Sequence, residues 1–134
     1  MTDLELMERA VQAREFSYSP YSNFRVGAAL LGKSGKVYTG CNVENASYSP
    51  TNCAERTALF KAISEGEREF TAIAIVGGKG EDIAPVCAPC GVCRQVLAEF
   101  CDADFRVVLG TPAAIQALTL AELLPFSFGK GDVE

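Results

Sequence analysis

Two short stretches hold the residues best suited to chemistry: Cys53-Ala54-Glu55-Arg56 and Pro89-Cys90-Gly91-Val92-Cys93. Cys90 and Cys93 stand three apart, the spacing that turns two side chains to one side of a helix. Cys53 supplies a third thiol from elsewhere in the chain. Three cysteines can hold a zinc ion and leave its fourth position open, which is the arrangement of a catalytic site. Thiols at helix starts ionise readily, because the unpaired N–H groups and the dipole there favour the anion that binds metal. Glu55 is then an uncommitted carboxylate, able to accept a proton from a water on the metal and pass it to a substrate nitrogen. Standing alone, it would be an ordinary solvated acid in a first helical turn.

Charge counting brings in Arg56. Three thiolates on Zn²⁺ leave the site net negative, which weakens its power to acidify water. Two helix N-termini return about +0.5 each. Arg56, three positions after Cys53, brings a guanidinium to the same side of the helix. It is expected to donate hydrogen bonds to ligand sulfur and restore the Lewis acidity of the metal. A competing arrangement exists, because Cys87-x-x-Cys90 overlaps the second stretch and could close a four-cysteine structural site. Cys87 precedes Ala88-Pro89, outside the helix, and is read as a non-ligand. Cys41 and Cys101 fall at element ends and read as small buried hydrophobes.

Composition narrows the chemistry further. The chain has 134 residues and no histidine, which removes Ser-His and Cys-His hydrolysis and any histidine-ligated metal. Net charge is −5 and the basic residues are scattered, so nucleic acid is not expected as a partner. A small, uncharged or weakly charged substrate fits better than a polyanion. No apolar run approaches the roughly 18 residues of a membrane span, so no membrane partner is expected. The start, Met1 to Glu5, is acidic and unlike a signal peptide, so a cytoplasmic location and reduced thiols are the expectation.

The elements that must position these residues can be read in order. Leu4, Met7, Ala10, Val11 and Arg14 recur at helical spacing, with Thr2 and Glu5 as a capping box, predicting a helix over about 3–16. The segment Ser17 to Asn23, with Pro20, is a loop. Strands follow over 26–31 and 36–41 as a hairpin around Gly32-Lys33-Ser34-Gly35. Asn42 to Pro50 is a polar loop, and Thr51 or Asn52 can cap a helix over about 53–64. A strand over 70–76, closed by Gly77-Gly78, leads into a loop over 79–86. A helix follows to about Phe100, with Val92, Val96 and Leu97 inward. A strand over 105–109 comes next, with 113–115 an open candidate for a fifth. A helical turn over 118–124 and a frayed tail from Lys130 complete the chain. Helix, two strands, helix, strand, helix, strand is the order of an α/β protein with a mixed sheet covered on both faces. One domain, 1–134, is expected.

Cys-Ala-Glu followed by Pro-Cys-x-x-Cys is similar to the zinc nucleobase-deaminase signature, here in its three-cysteine form. Asn23 to Ala29, Asn42 to Tyr48 and Leu123-Leu124-Pro125 look like the small homotetrameric cytidine deaminases, a likeness running from about Tyr18 to Phe128. That resemblance implies a three-layer α-β-α sandwich around a mixed five-stranded sheet. It implies Cys53, Cys90 and Cys93 as ligands of one Zn²⁺ per subunit, with Glu55 as proton shuttle. It implies a nucleoside substrate, with Phe24 against the pyrimidine face and Asn42 and Glu44 on ribose hydroxyls. Ala46, Tyr48 and a C-terminal aromatic would come from neighbouring subunits of a homotetramer with shared active sites. Phe126 and Phe128 both follow Pro125, and spacing favours Phe128. The implied reaction is deamination of cytidine and deoxycytidine, in pyrimidine salvage.

Overall fold

The structure is a computed structural model describing residues 1–134. Its centre is a five-stranded sheet in the order β2-β1-β3-β4-β5. The strands are β1 (Phe24–Gly32), β2 (Val37–Cys41), β3 (Phe70–Lys79), β4 (Arg106–Thr111) and β5 (Ala114–Thr119). β1 pairs antiparallel with both β2 and β3, β3 pairs parallel with β4, and β4 and β5 form an antiparallel hairpin. The parallel pair needs a crossover, which α3 (Gly91–Phe100) provides.

Alternation along the strands divides the core into two faces. Leu30, Ile73, Ile75, Val107 and Leu109 pack against α2 (Ala54–Ser64), α3 and the single turn α4 (Leu120–Leu123). Ala29, Ala72, Ala74, Val76 and Val108 take the other face, under Leu6, Met7 and Ala10 of α1 (Asp3–Arg14). Small residues on the sheet let the helices come close. A Cβ on Gly40 would fall 2.5 Å from Ala58 N, and one on Gly27 would fall 2.1 Å from Ala10 O. The expected three-layer α-β-α sandwich with a mixed five-stranded sheet is the observed fold. No helix is long and apolar enough to cross a membrane.

This topology decides where the chemistry sits. β2 and β3 are both antiparallel to β1, so they end at the same edge of the sheet. Cys41 and Val76 share the partner Gly27, and Lys79 pairs with Phe24. The helices that follow β2 and β3 therefore begin at one edge, and β1 starts there too.

Several sequence expectations are corrected. β3 runs to Lys79 instead of stopping at Gly77-Gly78, because β1 pairs with both glycines. The fifth strand is a full six residues, Ala114–Thr119, which takes residues from the predicted 118–124 helix. α1 ends at Arg14, and Leu4 lies outside its buried stripe, which is Leu6, Met7, Ala10, Ala13 and Arg14. Val92 is exposed, since Cys93 takes the inward position one step further round α3. The tail carries a short 3-10 turn at Lys130–Asp132.

Candidate active site

Cys53 is the N-cap of α2 and Cys90 the N-cap of α3, both with extended backbone angles and neither side chain spent on capping. The predicted cap at Thr51 or Asn52 is thus displaced to Cys53 itself, while Asn52 donates to Thr57 Oγ1 at 3.0 Å. Cys93 lies one turn into α3 and is buried. The sulfurs of Cys53 and Cys90 are 3.7 Å apart, and all three lie within 4.8 Å of one another. Four tetrahedral ligands about 2.3 Å from zinc stand about 3.8 Å from each other. The trio therefore fits zinc both in donor type and in spacing.

Electrostatics prepare the same site. The Cys93 thiol beside it draws the Cys53 thiol down to about 5, against the opposing effect of burial and with help from Arg56 and Cys90. Cys93 is correspondingly pushed up by its pairing with Cys53 and by burial. The lowered Cys53 thiol favours metal, since thiolate is the form that binds and a dication displaces the protons of its ligands. Arg56 Nη2 donates to Cys53 Sγ at 3.2 Å, the contact expected from the sequence. Burial opposes its charge, but bonds to the Cys53 and Cys93 sulfurs more than offset this and hold the guanidinium above its ordinary value. Its Nε is buried and finds no partner.

Glu55, 4% exposed, follows Cys53 into the first turn of α2. Burial pushes its carboxyl up to about 7, and the negative charge of Cys53 adds to the shift. A carboxyl in this range can both hold and release a proton near neutrality. That is the opposite of a solvated helix-capping acid.

Above these groups lies a cavity of about 250 Å³, lined by Cys53, Glu55 and Cys90 on one side and Phe24, Asn42 and Glu44 on the other. Asn42 is nearly spent on the fold. Its Oδ1 accepts from Val26 N at 2.9 Å and from Ser17 Oγ, and its Nδ2 donates to Phe24 O at 2.8 Å. One N–H is left for a ligand. Glu44 accepts from the Tyr21 and Ser22 amides at 3.0 and 3.2 Å and from the Ser22 hydroxyl.

Cys87 also lines the cavity but stands outside the sulfur trio. Burial, with the charges of Glu55 and Cys53, pushes its thiol up to about 11. Its sulfur packs on Gly77, where an added Cβ would come within 2.7 Å. Cys41 and Cys101 are half-buried free thiols. Ala46, Tyr48 and Phe128 are exposed and do not line the cavity, and Tyr48 meets Tyr21 edge-on with ring centroids 6.2 Å apart.

Ser22 also lines the cavity, although in the sequence it reads as one more turn residue. Arg14 reads in the sequence only as part of a helical stripe. Arg14 is buried and donates to the carbonyls of Arg25, Gly78, Gly80 and Asp82, tying the loop after β3 to the start of β1. A basic residue on an otherwise apolar stripe was the available signal.

A mixed sheet between helical layers, with three thiols at two helix starts and a buried carboxylate beside them, defines an α/β protein with a zinc-type metal centre. The family described as the cytidine and deoxycytidylate deaminase zinc-binding region matches residues 1–111. The chain is 56% identical over 129 residues to the cytidine deaminase of Halalkalibacterium halodurans, covering 96% of this chain and 95% of that protein. It is 51% identical over 130 residues to the cytidine deaminase of Sporosarcina psychrophila, covering 96% and 93%. The crystal structure of cytidine deaminase from Burkholderia pseudomallei superposes with a TM-score of 0.88 at 50% identity, covering 96% of this chain and all of that one. The chain belongs to the cytidine deaminase family, and its metal is zinc.

Proposed function

We propose that residues 1–134 act as one catalytic domain that hydrolyses cytidine and deoxycytidine to uridine and deoxyuridine, releasing ammonia. The observation that carries this is the buried Glu55 between a zinc-spaced sulfur trio and a cavity bearing Phe24, Asn42 and Glu44. Cys53, Cys90 and Cys93 hold the metal. Zinc, when bound, supplies Lewis acidity that makes water a competent nucleophile near neutral pH.

Glu55 accepts the proton of the attacking water as oxygen adds to C4 of the pyrimidine. It passes that proton to N3, takes the second from the hydroxyl now on C4, and delivers it to the amino group as C4=O forms, the C4–N bond breaks and ammonia leaves. Arg56 draws charge from the Cys53 sulfur and so keeps the ligand set from quenching the metal. Phe24 offers a flat apolar face to the base. The remaining Asn42 N–H and the Glu44 carboxylate take ribose hydroxyls. An acidic group beside the sugar also repels a phosphate, which favours nucleosides over nucleotides.

The exposed Ala46, Tyr48 and Phe128 take part from neighbouring copies of a homotetramer, whose active sites are shared. Such an enzyme acts in pyrimidine salvage in the cytoplasm. The test is Glu55→Gln, followed by the fall in cytidine absorbance. Turnover drops by a factor of about 10² to 10⁴ while zinc content and fold are kept. Near-normal turnover in that variant sinks the mechanism.

A further inference from the structure

The side chain of Ser22 sits between two of the groups that face the cavity. Its hydroxyl donates to Glu44 Oε2 and accepts the Phe24 amide at 3.0 Å. A hydroxyl that donates one way and accepts the other is fixed in orientation. The geometry depends on Asn23, which adopts a left-handed φ of 57° and turns the Phe24 amide back onto Ser22. Asn tolerates that conformation better than most residues. The turn is held at both ends, by Asn23 N to Ser19 O at 2.9 Å and by Gly80 N to Asn23 O at 2.9 Å.

We infer that Ser22 is a positioning residue for the sugar end of the substrate: its hydroxyl fixes the Glu44 carboxylate and the Phe24 backbone relative to one another. The Tyr21 and Ser22 amides occupy Glu44 Oε1, so Ser22 is the side chain that settles where Oε2 stands. Oε2 keeps lone-pair capacity for a substrate hydroxyl. The same contact is the leading cause holding Glu44 below its ordinary carboxylate range, so the group stays an acceptor. Without the Ser22 hydroxyl, Oε2 is free to rotate and the Phe24 amide loses its acceptor. The sugar then meets a carboxylate that must be ordered on binding, while Cys53, Glu55 and Cys90 are untouched.

This rests on the nucleoside reading above, and the experiment separates the two. Zinc-loaded full chain and its S22A and S22T variants are assayed with cytidine and with 2′,3′-dideoxycytidine, which lacks the 2′ and 3′ hydroxyls. Uridine binding is measured by calorimetry alongside. In S22A, KM for cytidine and Kd for uridine are expected to rise about tenfold, the loss of one charge-assisted hydrogen bond. The kcat stays within about twofold, KM for the dideoxy substrate barely moves, and S22T, which keeps the hydroxyl, restores cytidine binding. An unsubstituted chain that turns over neither nucleoside overturns the nucleoside reading itself. Normal turnover that S22A leaves unchanged, or weakens equally for both substrates, overturns only the role of Ser22. So does an S22A chain that loses zinc or melts early, since that assigns the hydroxyl to the fold.

Discussion

The floor and the rim of the cavity are built in different ways. The floor, Cys53, Glu55, Cys90 and Cys93, stands on the first turns of two helices whose other ends are packed into the core. Its three sulfurs lie within 4.8 Å of one another inside one copy of the chain. The rim, meaning the aromatics Tyr48 and Phe128 outside the cavity lining, is 72% and 62% exposed. Tyr48 also holds a left-handed φ of 62°, an uncommon conformation for an aromatic residue. The three sulfurs and Glu55 thus come together within a single chain, whereas the aromatic surface of the rim lies outside the cavity and is largely exposed. Chemistry and substrate enclosure are separable here, and substitutions at the two places should fail differently.

The largest effect is expected at the floor. Cys93→Ala removes a buried ligand and leaves two, so zinc content should fall to near zero and turnover with it. Cys87→Ser, in the same cavity, should keep full zinc, because Cys87 stands outside the trio. Metal analysis of the two purified variants decides this. Loss of zinc in the Cys87 variant would mean a closed four-cysteine site, with no open position on the metal for catalysis.

How much of this was legible in the sequence follows the same division. The trio and Glu55 are carried by two local motifs, and helix starts place their own side chains, so spacing alone is informative. Their convergence needed the added fact that β2 and β3 end at one sheet edge, which the alternation of helices and strands implies. What stayed hidden depends on partners distant in sequence. Gln116 and Ala117 have little strand preference of their own, yet pairing with Leu109 and Val108 makes them part of β5. Arg14 looks like the polar end of a helix, and only the approach of Gly78, Gly80 and Asp82 carbonyls explains its burial. Asn42 reads as loop polarity, while most of its hydrogen-bonding capacity is spent on Phe24, Val26 and Ser17. Side-chain-to-backbone bonds between separate segments leave no periodic trace.

A smaller effect is expected where the floor is tuned. Arg56→Ala keeps all three sulfurs but removes the donor 3.2 Å from Cys53. Outer partners of metal ligands are typically worth about 10- to 100-fold in metal affinity or activity. A chelator competition and the kcat of the zinc-loaded variant should show a loss in that range. If both are unchanged, the negative charge of the ligand set is balanced by the two helix starts alone. The floor would then need nothing beyond the backbone.

The smallest effect is expected at the rim, and it tests whether another copy completes the site. Phe126 and Phe128 are both exposed, but they differ in surroundings. Phe126 is 105% exposed, has a left-handed φ of 53° and borders an apolar cavity with Leu124, Pro125 and Cys101. The Phe128 backbone carbonyl is held by Gln95 Nε2 at 2.8 Å, which anchors it to α3, the helix that carries Cys93. An anchored aromatic is the better lid for a base. Phe128→Ala should therefore raise KM for cytidine about three- to tenfold, the worth of one aromatic contact, with kcat and zinc unchanged. Phe126→Ala should leave KM alone. Because the rim is supplied by a neighbouring copy in the proposed homotetramer, mixing the zinc-free Cys93→Ala chain with the Phe128→Ala chain gives a sharper measurement. After dissociation and reassembly, intact floors from one chain meet intact Phe128 from the other, and part of the low-KM activity should return. No recovery, with tetramers confirmed by light scattering, would mean that each chain closes its own site.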